Sequence, residues 1–188
     1  EYENSLAREA YWPSGSVNLV NLRLRQGRGD EAVAAFERAI RLDPNFAGAY
    51  VNLSDALRQL GREVEGEKAL RRGLAVMPRN ADLHHSLGLL LIRKGDKPGA
   101  YKELAEAARL APDNVRYTYV HAIALNAEGK RAEALAALRG ADQRNPHNLE
   151  VLSALISINR EAGDRQAALR YARQAAVLLP DNANLARL

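Results

Sequence analysis

His84 and His85 are the first residues to test for chemistry, and their adjacency decides against them. Neighbours on a helix project about 100° apart, so the two imidazoles cannot close on one metal ion. His121 stands where other parts of the chain carry leucine and reads as a packed core histidine, while His147 follows Pro146 in a turn. There is no His-Glu-x-x-His, no Gly-x-Ser-x-Gly and no glycine-rich phosphate loop after a strand. Carboxylates are numerous, yet none forms the isolated, apolar-flanked pair that raises a catalytic pKa. With no cysteine, this segment offers no thiolate nucleophile, disulfide, zinc–cysteine cluster or covalent haem attachment. The sequence predicts a non-enzymatic protein without metal or cofactor, whose function is a matter of surfaces.

Composition narrows the class of element that carries those surfaces. Of 188 residues, 47% are apolar but only 5% aromatic, with alanine and leucine dominant, which favours closely packed helices over a β-sandwich. Lysine plus arginine number 27 against 23 aspartate plus glutamate, a net charge of +4 with both signs interspersed. Such mixed helix faces argue against nucleic acid as the partner. No apolar run reaches the roughly 18 residues of a membrane span, and the first ten residues lack the basic start and apolar middle of a signal peptide. The compartment stays open between cytoplasm and periplasm, and the absence of an initiator methionine suggests a piece of a longer chain.

Five prolines, Pro44, Pro78, Pro112, Pro146 and Pro180, recur every 34 residues, and Gly27, Gly61, Gly95, Gly129 and Gly163 keep the same step 17 residues earlier. Within one period, Tyr50, Leu53, Leu57 and Leu60 form a helical stripe that Gly61 ends as a left-handed cap. A second stripe, Val64, Leu70 and Leu74, runs to about Val76, where Pro78 stops it. Small residues recur at two sites of this second helix: Ala32, Gly66, Ala100, Ala134 and Ala168, then Ala39, Gly73, Ala107, Ala141 and Ala175. Seven apart, they share a face and let two helix axes approach closely. Phe36, Leu70, Leu104 and Leu138 fill the space between them. Asp30 and Asp96 are expected to cap the second helices, and Pro98 suits a first turn. Arg23 and Asn159 replace apolar residues where the stack is expected to be less covered, and Gly140, Asp142 and Arg144 interrupt a stripe and mark an expected weak point.

These motifs resemble the tetratricopeptide repeat family along residues 13–182, with Tyr50-Val-Asn-Leu53-Ser54 and His84-His-Ser-Leu87-Gly88 as good matches. The resemblance implies an all-α fold, a right-handed α-solenoid of helix-turn-helix repeats. Its units would be 13–46, 47–80, 81–114, 115–148 and 149–182. Residues 1–12 would end a preceding helix or cap the stack, with Trp12 covering that end, and 183–188 would begin a further helix or cap.

In that family the first helix of each pair, helix A, lines a concave groove. The resemblance therefore assigns peptide binding to Asn18, Asn21, Asn52, Asp55, Arg58, His85, Leu89, Ile92, Arg93, Arg116, Tyr119, Ile123, Asn126 and Arg160. Asparagine amides at 18, 21 and 52 can hold an extended backbone through both donor and acceptor, or can be no more than the residue common at these family positions. Val17, Asp82 and Ser86 stand where a carboxylate clamp needs bases, which argues against that subclass. Leu89, Ile92, Tyr119 and Ile123 read as an apolar centre, rimmed by His85, Arg58, Arg93, Arg116 and Arg160, the anatomy of a hot spot for an apolar anchor beside acidic groups. Ordinary packing between neighbouring helices is the competing account of Leu89 and Tyr119. The function implied is an interaction scaffold for a peptide or helical segment. The alternative is an accessory module of a larger enzyme or multihaem electron carrier, since residues 50–61, 83–89 and 111–120 look like repeats that follow multihaem segments in some bacterial proteins. The oligomeric state is not legible.

Overall fold

The computed structural model describes residues 27–178, which contain nine α-helices and no strand. They are α1 (Gly29–Leu42), α2 (Ala47–Gln59), α3 (Glu63–Val76), α4 (Ala81–Lys94), α5 (Lys97–Leu110), α6 (Val115–Ala127), α7 (Arg131–Arg144), α8 (Leu149–Glu161) and α9 (Arg165–Leu178). The all-α fold expected from periodicity is therefore present, and the chain divides into two compact units after Ala107, inside α5. Trp12, Val17, Asn18, Asn21, Arg23, Pro180 and residues 183–188 lie outside the described residues.

Each turn between paired helices uses its glycine as the period requires. Gly27, Gly61, Gly95, Gly129 and Gly163 all take φ between 71° and 82°, the left-handed region that a side chain disfavours. At Gly95 this lets the amides of Gly95 and Asp96 bond back to the carbonyls of Ile92 and Leu91, satisfying the end of α4. The start of α4 is capped by Asn80, whose Oδ1 accepts from Leu83 N at 3.1 Å, and Asn148 does the same for Val151 N. Asp96 caps α5 through Gly99 N as expected. Asp30 does not cap: it sits in the first turn of α1 and its Oδ1 accepts from Arg62 Nη1 at 2.9 Å. The sequence reading missed Asp164, which caps α9 through Ala167 N.

All ten small-residue sites are buried. In the first unit a Cβ added at Gly66 would meet Ser54 Oγ at 3.1 Å and its carbonyl oxygen at 3.2 Å, and one at Gly73 would meet Tyr50 Cγ and Leu83 Cδ1 at 3.0 Å. The missing side chains thus admit α2 and α4 to the surface of α3. The core around them contains Phe36, Tyr50, Leu53, Leu70, Leu83 and Leu87. In the second unit Leu138, Val151, Leu152, Leu155 and Ile158 form the corresponding core. Helices of 13 or 14 residues are marginal alone, so this burial, about 1.5–3 kcal/mol per large apolar side chain, is what holds them.

The recurring prolines contribute a carbonyl as well as a stop. Tyr50 Oη donates to Pro44 O at 3.1 Å, His84 Nε2 lies 2.9 Å from Pro78 O one repeat later, and Arg144 Nε donates to Pro112 O at 3.3 Å. His84 also meets Glu103 Oε2 through Nδ1 at 2.6 Å, which ties α4 to α5. α7 runs unbroken through Gly140, the residue expected to weaken it.

Two packing positions depart from the apolar pattern. Asn159 is only 5% exposed, not loosely covered as its polar type suggested, and its Nδ2 satisfies itself on Leu155 O, one turn back in α8. His121 is half-buried at a site filled elsewhere by leucine, and burial pushes its pKa below 6.5, against a smaller opposing pull from Glu133. A depressed histidine pKa means the fold disfavours the charged ring. Stability is then full above the unfolded value and falls as pH drops through about 6.5 towards the folded value. His121→Leu is expected to raise the melting temperature and to flatten its decline between about pH 7 and pH 5, as thermal melts across that range would read. An unchanged pH profile would contradict the assignment.

Candidate binding faces on the first helix of each pair

The candidate residues are carried by α2 and α4 in the first unit and by α6 and α8 in the second. Within each unit the two A helices are direct neighbours. They stand side by side because the helix between them in sequence, α3 or α7, presents alanine or glycine at its two close-approach sites.

In the first unit α2 presents Asn52, Asp55 and Arg58. Arg58 Nε lies 3.4 Å from Asp55 Oδ1, so this cation and anion, one helical turn apart, partly neutralise each other. On α4, Leu89 is half-buried and Ile92 is 40% exposed. His85 is only 7% exposed, so it belongs to the interior and not to a solvent-facing rim. Arg93 extends towards α3, where its Nε is 3.4 Å from Glu63 Oε1.

That pair belongs to a set of cross-repeat contacts in the first unit. Arg62 meets Asp30 at 2.9 Å, Arg72 holds both carboxylate oxygens of Glu37 at 2.8 and 3.1 Å, and Lys94 pairs with Glu67, which Arg71 also contacts at 2.8 Å. Hydrogen bonding from Arg72 holds the Glu37 carboxyl below its usual range, and Lys94 does the same for Glu67. Single pairs this exposed to water contribute little to stability. Their consequence is that Arg62, Arg71, Arg72, Arg93 and Lys94 each already face a carboxylate.

In the second unit Tyr119 is half-buried and packs on the core, while Ile123 is 40% exposed on the same helix. Arg116 is exposed at the first turn of α6. Asn126 Nδ2 donates across to Glu161 Oε2 on α8 at 3.2 Å, and Ser157 Oγ bonds the other oxygen of Glu161 at 3.3 Å. The Asn126 amide nitrogen thus ties α6 to α8, while its Oδ1 has no hydrogen-bond partner among the described residues. Arg160 lines a cavity of about 210 Å³ with Ile156, Arg165, Ala168 and Leu169, on the side of α8 that faces α9. Glu161, which lies on the groove stripe of α8 by register but was not assigned to peptide binding, is the group on which Asn126 and Ser157 converge. Among the described residues no group of histidines and carboxylates could hold a metal ion, and no helix is long and apolar enough to cross a membrane.

The fold and these faces define a protein of stacked helical hairpins. Residues 23–84 and 65–115 match two models of the tetratricopeptide repeat. Residues 23–115 therefore carry tetratricopeptide repeats. The chain is similar in structure to MamA, with TM-score 0.70 at 18% identity over 86% of this chain and 95% of that one. YrrB, described as a tetratricopeptide repeat protein with an unusual peptide-binding site, gives 0.66 at 21% identity over 92% and 89%. A thermophilic tetratricopeptide repeat protein of Thermus thermophilus, TTC0263, gives 0.62 at 23% identity over 93% and 95%. At these identities the likeness concerns the fold. The sequence matches no curated protein. None of these matches supports a multihaem cytochrome setting.

Proposed function

We propose that the protein is a non-enzymatic interaction scaffold that holds a peptide or helical segment on the A-helix faces of its repeats. The observation that carries this reading is that large aliphatic side chains of the A helices, Ile92 on α4 and Ile123 on α6, are each left 40% exposed. Solvent-facing isoleucine beside polar groups is the composition of an anchor site. Leu89 extends the apolar surface of α4 and Tyr119 that of α6, Asn52 offers an amide on α2, and the exposed Arg116 suits an acidic flank on the ligand. Arg58 and Arg93, partly engaged with Asp55 and Glu63, contribute less charge than their number suggests. The peptide-binding description of YrrB accords with this use of the fold.

Peptides selected from a random library on the full chain provide the test. Their affinity is expected to fall about tenfold or more with Ile92→Glu, Ile123→Glu or Tyr119→Ala, the range of a hot-spot anchor, and Arg116→Glu is expected to reduce any preference for acidic flanks. Unaltered affinity in all three anchor variants, with helix content retained, would overturn the proposal.

A further inference from the structure

The second helices of the second unit carry a charge arrangement opposite to that of the first. In the first unit Glu37 of α1 is bound by Arg72 of α3 through both oxygens. Three repeats on from Glu37 stands Arg139, and three repeats on from Arg72 stands Gln174. Substitution has thus replaced the acid by a cation and removed the cation that faced it. One repeat after Arg139, at the same register, comes Arg173. Both side chains are exposed, and neither makes an ion pair or hydrogen bond among the described residues.

The two arginines open onto one cleft of about 820 Å³ in the second unit, whose lining also includes Arg170, Tyr171, Asn159 and Asp164. Arg170 is held in place, with its guanidinium 4.9 Å above the Tyr171 ring and its Nη2 donating to Tyr171 Oη at 3.2 Å. Asp164, the one carboxylate, already accepts from the Ala167 amide as the cap of α9. Three guanidinium groups therefore face a single committed anion. Cations that share a cleft repel one another, and a bound carboxylate relieves that repulsion while matching each guanidinium with two parallel hydrogen bonds.

We infer that this cleft, built on α7, α8 and α9 and separate from the A-helix faces, docks an acidic peptide segment through Arg139, Arg170 and Arg173. The lining favours a peptide over a nucleic-acid strand. The one aromatic ring is buried under Arg170 and offers no free face to a base, and Asp164 opposes a continuous run of phosphates.

The experiment uses the full chain and a fluorescein-labelled ten-residue peptide with four glutamates spaced by serine and alanine, with a glutamine version as control. By anisotropy, the glutamate peptide is expected to bind about tenfold tighter than its control, and Arg139→Gln with Arg173→Gln to remove most of that difference. Neither arginine has an ion pair or hydrogen bond among the described residues for its substitution to break, and circular dichroism checks the helix content. Should the double variant unfold, each single variant is read in its place, with about threefold weakening expected from each. Ile123→Glu and Tyr119→Ala should leave this binding unaltered, which separates it from the peptide site on the A helices. Equal binding of the two peptides, equal affinity of the arginine variants, or sensitivity to the α6 variants instead would overturn the inference. So would an oligonucleotide of equal charge that displaces the glutamate peptide at lower concentration.

Discussion

Leu104→Ala is expected to lower the unfolding free energy by about 3 kcal/mol, and to lose part of that effect when Gly88→Ala accompanies it. Leu104 is wholly buried in α5, and the surface it fills is the bare backbone of Gly88 in α4. A Cβ at residue 88 would lie 2.7 Å from Leu104 Cγ, 2.8 Å from Cδ2 and 3.2 Å from the Leu104 amide nitrogen. Gly88→Ala alone therefore sets an overpacking penalty of about 1–3 kcal/mol against a helix-propensity gain of about 1 kcal/mol. In the double variant the new methyl enters space that the leucine has vacated, and only the contact with the backbone nitrogen stays tight. The two changes should then be less than additive by about 1–2 kcal/mol, well outside the few tenths that independent sites show. Urea denaturation of the four proteins reads this directly, and simple additivity would mean that the Gly88–Leu104 approach is not what positions α5.

Tyr50→Ala is expected to cost about 3–5 kcal/mol, and Tyr50→Phe about 1 kcal/mol. The ring is 2% exposed, and its Cγ would lie 3.0 Å from a Cβ at Gly73, so α3 rests directly on the aromatic face. Deleting it leaves a cavity that Gly73 has no side chain to fill. The phenol contributes separately, through its bond to Pro44 O. Because Pro44 is exposed, its carbonyl can turn to water when the hydroxyl is removed, which keeps the phenylalanine cost small. Thermal and urea unfolding of both variants check the ratio. A phenylalanine variant as damaged as the alanine one would shift the weight from packing to the hydrogen bond.

The pairing of Tyr50 with Gly73 was legible because both halves of it are periodic. Tyr50 opens a stripe at helical spacing, and Gly73 belongs to a series of small residues that recurs in every repeat. His85 was not legible in the same way. Its polar type and its register suggested a rim, but whether a histidine at that register is wet or buried depends on what lies over it, and that is contributed from elsewhere in the chain. Asn159 shows the same limit. A polar residue at a packing position suggested thin cover, whereas the bond to Leu155 O lets it sit buried in α8. Asp30 looked like Asp96 in sequence and became an ion-pair partner, because Arg62 is within reach of it.

Charge is where sequence reasoning fell furthest short. Counting arginines suggested a rim of free cations, yet Arg93 is drawn to Glu63 thirty residues away, while Arg139 and Arg173, without an ion pair among the described residues, line a cleft that the sequence reading did not consider. The comparison of Glu37 with Arg139 was available in the bare 34-residue register. Its meaning depended on knowing that Glu37 is bound to Arg72.

From amino-acid order alone came the helical hairpin, its 34-residue repeat, the left-handed glycine turns and the small residues at helix contacts. Those features are local, set by backbone sterics and side-chain size within a few turns of chain. Tertiary structure alone decided which polar groups are buried, which charges cancel and which cations are left to meet a ligand. Those outcomes depend on partners about thirty residues distant, whose approach only packing can bring about.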